Sequence, residues 1–138
     1  MEKLQQFIAQ HEEDVLTLGP LEKKEIEKAE AKLGHSLPEE LREYLQRYGA
    51  LSFRSVEFFG LGMKPSSHLH LVQRTLEFRQ EDGFPRAAVL LEAIGDGHYA
   101  VCHTDGLVME WGFPTYIAKG NQLASSPEEY MTKRLQEA

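Results

Sequence analysis

Two Asp-Gly dipeptides, Asp96-Gly97 and Asp105-Gly106, constrain this chain more than any other feature. Each stands between short runs rich in β-branched and apolar residues: 87–94, 98–103 and 107–111. A type I′ turn needs positive φ at both central residues, which Asp-Gly accommodates, so the pattern predicts an antiparallel meander of three strands. A weaker strand is expected at 116–119. Upstream, residues 55–59 are β-prone and end at Gly60. Leu69, Val72 and Leu76 then recur at helical spacing toward Glu81-Asp82-Gly83, and Pro85 closes that element.

The first third of the chain has a different period. Leu4, Phe7 and Ile8 mark a first helix, which ends in the charged run Glu12-Glu13-Asp14. Pro20 is expected to open a second helix carrying the stripe Ile26, Ala29 and Leu33, with Gly34 as its positive-φ cap. Ser36-Leu37-Pro38-Glu39 reads as a capping box for a third helix. Leu41, Tyr44, Leu45 and Tyr48 form its buried face, and Gly49 ends it. A second capping box, Ser126-Pro127-Glu128-Glu129, opens a terminal helix with Tyr130, Met131 and Leu135 inward. The expected architecture is therefore α+β. N-terminal helices accompany an antiparallel or mixed sheet of about four to six strands, with helices on one face and a C-terminal helix. Residues 1–138 read as one domain, without repeat, linker or low-complexity tract.

Charge and cysteine content narrow the function. The net charge is −7, divided as 11 acids and 7 bases in residues 1–48, and 11 acids and 8 bases in residues 49–138. A chain without a basic stripe is a poor ligand for nucleic acid or anionic membrane, whose phosphates need Lys and Arg. The same charge steers it toward a basic partner. Cys102 is the only cysteine, which rules out an intramolecular disulfide and a Cys-based zinc cage. The N-terminus lacks the basic start and apolar stretch of a signal peptide, so a cytoplasmic location is expected.

The residues that could carry chemistry favour structural roles. Of the six histidines, His68 and His70 stand two apart where a helix begins, so they do not face one another. Within His98, Cys102, His103 and Asp105, alternation along a strand sends His103 to the face opposite His98 and Cys102. That same alternation separates the Cys102 thiol from a His103 base. No metal site and no cofactor are expected, and no phosphate loop or nucleophile elbow is present.

Two-residue turns at both Asp-Gly pairs would place Glu92 opposite Val101 and Val101 opposite Glu110. Glu92, Val101 and Glu110 then form a row, with Tyr99 and His103 on the same face. Leu91, Ala93, Ala100, Cys102, Met109 and Trp111 collect on the other face, which is the more apolar and is assigned to the core. Glu92, Tyr99, His103 and Glu110 are thus the expected partner-binding platform. Paired carboxylates could also act as acid and base in a small enzyme. Both readings depend on register, since a one-residue slip sends the glutamates to the opposite face.

The string Ile26, Glu30, Leu33-Gly34, Leu37-Pro38, Leu41, Leu45 and Tyr48-Gly49 resembles the opening signature of the SUKH superfamily. That superfamily contains the fungal Smi/Knr cell-wall regulators and many bacterial immunity proteins. Gly95-Asp96-Gly97 through Thr104-Asp105-Gly106-Leu107-Val108 is similar to the family's central hairpins, and the resemblance spans residues 20–112. Tyr48 departs from the pattern, since many members carry Asn there. The matching residues are structural, so the resemblance implies an α+β fold and not a site. It further implies a non-enzymatic, cytosolic immunity protein that binds and neutralises a bacterial toxin domain, such as a basic nuclease. The alternative it implies is a regulatory or scaffold module that binds a host protein. The sequence says nothing of oligomeric state.

Overall fold

Helices with one apolar stripe must cover something, and here they cover antiparallel sheet. The structure, a computed structural model, describes residues 1–112 and 121–138; the strand expected at 116–119 lies outside them. The elements run α1 (Glu2–Gln10), β1 (Val15–Thr17), α2 (Lys23–Leu33), α3 (Glu39–Tyr48), β2 (Leu51–Phe53), β3 (Val56–Glu57) and α4 (Leu71–Phe78). They continue with β4 (Ala88–Gly95), β5 (His98–His103), β6 (Val108–Gly112), β7 (Gln122–Ala124) and α5 (Pro127–Glu137). The strands form two antiparallel sheets, one ordered β1-β2-β3 and the other β4-β5-β6-β7. The fold is α+β with a C-terminal helix, as the sequence predicts.

The helical stripes are buried where expected: Leu4 and Phe7 on α1; Ile26, Ala29 and Leu33 on α2; Leu41, Tyr44 and Leu45 on α3; Tyr130, Met131 and Leu135 on α5. Gly34 caps α2 in the left-handed region at φ 84, and its N–H donates to the Glu30 carbonyl at 2.8 Å. Ser126 accepts from the Glu129 N–H at 3.2 Å, which forms the first half of the α5 capping box.

Two helix starts differ from expectation. Helix α2 begins at Lys23 and not near Pro20, because the segment before it is held by the C-terminal carbonyls of α3. The Leu18 and Gly19 amides donate to the Tyr48 carbonyl, and the Leu21 amide donates to that of Gln46. The Ser36 capping box does not form either. Helix α3 starts at Glu39 after Pro38, with no side-chain cap, and the Glu30 carboxylate accepts from the Leu37 N–H at 2.7 Å. A carboxylate on the preceding helix therefore fixes the turn.

Residues 55–59 are not one strand. The chain turns at Arg54, whose φ is 55, so that β2 and β3 pair as a hairpin. Phe58 still donates its N–H to the Leu51 carbonyl of β2 at 3.1 Å and also bridges Glu92 of β4, and the Phe59 N–H donates to the Leu91 carbonyl at 2.9 Å. This crossing ties the small sheet to the large one. It requires a bare backbone at Gly60, where a Cβ would sit 2.2 Å from the Gly49 carbonyl oxygen.

The meander forms, with a different register. The first turn has two residues, with positive φ at Asp96 (53) and Gly97 (79), and pairs Gly95 with His98 as expected. The second loop has three residues, Thr104, Asp105 and Gly106. The Gly106 N–H donates to the His103 carbonyl and the His103 N–H to that of Leu107, with Gly106 at φ 95. This is a type I turn followed by a left-handed bulge residue, so β6 shifts by one residue against β5. Strand β4 carries two further irregularities against β5, with Leu91 and Ile94 as the extra residues. Glu92 therefore pairs with Ala100, and Ala100 pairs with Glu110. The expected row exists, but Ala100 occupies its centre in place of Val101.

Candidate functional site

Because paired residues share a face, Glu92, Ala100 and Glu110 lie on one face of the large sheet, with His98 and Cys102. Tyr99, Val101 and His103 lie on the other, beside Met109 and Trp111. The structure therefore does not bring Glu92, Tyr99, His103 and Glu110 together: the two carboxylates and the two rings are on opposite faces. The slips that caused this are single residues, enough to exchange the faces of a strand.

The face carrying Glu92 is covered by α5. Glu92 is 3% exposed, and its carboxylate accepts from the Tyr130 hydroxyl at 2.6 Å and from Arg134 Nε and Nη2 at 2.8 and 3.0 Å. Tyr130 and Arg134 are four apart on α5, so one helical face delivers both donors. Burial and the adjoining Glu92 carboxylate raise the Tyr130 hydroxyl well above its ordinary value. The hydrogen bonds that Arg134 donates to Glu92 hold its guanidinium firmly charged. A carboxylate that accepts three hydrogen bonds from one helix pins that helix to the sheet. Sequence reasoning missed this anchor, whose only signal was Tyr and Arg at helical spacing.

Glu110 remains accessible. It meets His98 Nδ1 at 2.9 Å, and its backbone N–H donates to the Asn121 carbonyl at 2.9 Å. On the opposite face, Tyr99 packs edge-on against Phe78 of α4, with ring centroids 4.8 Å apart, while Trp111 donates to the Gly83 carbonyl at 3.1 Å. Tyr99 also lines a hollow of about 290 Å³ with Glu57, His68 and Arg74. His103 is half-buried and pairs with Ala88 at the end of β4.

His70 and Cys102 hold structural positions. His70 caps α4: its Nδ1 accepts from the Gln73 N–H at 3.1 Å. Burial, Arg74 and Lys32 lower its pKa, which favours the neutral ring that can accept. Cys102 is buried, its thiol is pushed up to about 12 by desolvation, and it donates weakly to the His103 carbonyl at 3.6 Å. Among the described residues no group of three or more His, Cys, Asp or Glu is placed to hold a metal ion. No helix among them is long and apolar enough to cross a membrane.

A second surface lies at the small sheet. Among the described residues strand β1 is an edge, paired with β2 alone, and it carries Leu16 at 69% and Leu18 just beyond it at 55% exposure. They overhang a hollow of about 280 Å³ lined with Leu51, Met63 and Leu69. Val15-Leu16-Thr17 follows an acidic turn and has the residue types of a short strand, but three residues are too few to show a period in the sequence.

Comparison with known proteins places the fold. No curated protein is similar enough in sequence to count as a relative. Among solved structures, the crystal structure of a protein from Pseudomonas syringae pv. tomato matches with a TM-score of 0.60. It is 22% identical, covering 70% of this chain and 71% of that one, so the likeness is one of fold. The profile of the SUKH_5 family, described as SMI1-KNR4 cell-wall, matches residues 1–133, and the chain belongs to that family.

Proposed function

We propose that this chain is a non-enzymatic, cytosolic protein-binding domain of the immunity type, which sequesters a basic toxin domain through an acidic surface. The observation that carries this reading is family membership across residues 1–133. The net charge of −7 supplies the physics: opposite potentials speed encounter, and desolvated charge pairs at the contact slow release. The internal commitment of Glu92 supports binding over catalysis, because a carboxylate occupied by Tyr130 and Arg134 is a poor general acid or base. Within the expected platform, Tyr99, His103 and Glu110 retain exposed surface for contact, whereas Glu92 acts by holding α5 in place.

The test is capture from a bacterial lysate by the tagged chain at low salt, followed by reconstitution. A captured polypeptide that arrests growth when expressed alone, and is harmless when co-expressed with this chain, supports the immunity role. The description of the family as cell-wall proteins favours a second reading, a regulatory module. Capture limited to regulatory or envelope-synthesis proteins without toxicity would replace the first reading with the second.

A further inference from the structure

The geometry points to the free edge of β1 as a docking strand for an extended, basic protein segment, which would add to the small sheet beside Leu16 and Leu18. This rests on the protein-binding reading and names the partner's chemistry. Three observations carry it. Among the described residues strand β1 has a neighbour on one side only, and an unpaired edge is a template for another strand. Leu16 and Leu18 are exposed there above the 280 Å³ hollow, which alternate apolar side chains of an added strand can fill. The turn leading into β1 is Glu12-Glu13-Asp14, all exposed, and no Lys or Arg occurs between Lys3 and Lys23. Lys64, next to Met63, is the only Lys or Arg adjacent in sequence to a lining residue.

Charge decides the occupant. A second copy would bring its own acidic turn and a net charge of −7 to the same edge, whereas a segment alternating apolar and basic residues meets both the leucines and the carboxylates. Tyr48 and Ala50 help by receiving the Leu18 N–H, which keeps the exit from β1 extended and flush with the sheet.

The probe is a short capped peptide alternating Lys and Val, titrated by calorimetry into the intact chain, with a Glu-Val peptide as control. The Lys-Val peptide is expected to bind and the control not to. Leu16→Ser with Leu18→Ser should weaken binding about tenfold or more. Replacing Glu12, Glu13 and Asp14 by Gln should also weaken it and flatten its salt dependence. Both sets of positions are exposed, and unchanged circular dichroism of the variants separates loss of binding from loss of fold. Absence of Lys-Val binding, or binding indifferent to Leu16 and Leu18, overturns the proposal. A dimer in sedimentation that Leu16→Lys abolishes also overturns it, in favour of a second copy. Failure of lysate capture with intact peptide binding would instead count against the immunity role alone.

Discussion

The two sheets are both antiparallel, yet they are packed in different ways. In the four-stranded sheet, Ala88 to Glu92 of β4 are all buried, because α5 lies over one face and Phe78 and Phe84 pack on the other. In the three-stranded sheet, β1 spans three residues, and Leu16 in it is the most exposed large apolar side chain among the described residues. The first arrangement gives a frame in which the buried Glu92 carboxylate is satisfied from within the chain. The second leaves an edge and an apolar hollow facing water, which costs stability and suits recognition.

Breaking the frame should have the largest effect. Glu92→Ala strands the Tyr130 hydroxyl and removes the buried counterion of Arg134, and is expected to cost about 3 kcal/mol, measured by urea denaturation. The conservative Glu92→Gln should recover part of that loss. At the junction between the sheets, Gly60→Ala forces a methyl against the Gly49 carbonyl, at a cost of roughly 2 kcal/mol in the same assay.

A smaller effect follows from pH. The Cys102 thiol titrates at about 12 in the fold against an ordinary 9.0, so above pH 9 the unfolded chain loses a proton that the folded chain keeps. Stability from this group is present below pH 9 and falls by at most about 1.4 kcal/mol per pH unit as pH rises toward 12. Cys102→Ala should flatten the slope between pH 9 and 10, before most tyrosine of the unfolded chain ionises. Smallest of all, Leu16→Ser should change stability by no more than about 0.5 kcal/mol, because the side chain is already in water. A large loss on Leu16→Ser would erase the contrast between the sheets.

The legible part of this fold was the part with local causes. The Asp96-Gly97 turn, the Gly34 cap, the Ser126 cap and the helical stripes are each decided within a few residues, and each is where the sequence predicts. What failed was set at a distance or by one extra residue. The dipeptide Asp105-Gly106 serves a three-residue loop as well as a two-residue one, and nothing in β4 announces the bulges at Leu91 and Ile94. Those slips moved Glu92 and Glu110 together, so the row survived while its face changed. Glu92 looked like a solvated surface residue because buried glutamate is rare without partners, and its partners are 38 and 42 residues away in sequence. The Ser36 cap failed for a similar reason, displaced by Glu30 of the preceding helix.

The division of labour between the sheets is tested most directly by amide hydrogen exchange on the intact chain, free and saturated with the Lys-Val peptide. In the free chain, amides of β4 and β5 should exchange only through global unfolding, while that of Thr17 at the β1 edge exchanges through local opening. On saturation, protection should rise at β1 and its flanks and stay unchanged across β4 to β6. Protection gained instead around Tyr99, His103 or Glu110, with β1 unaffected, would contradict the account and return recognition to the large sheet.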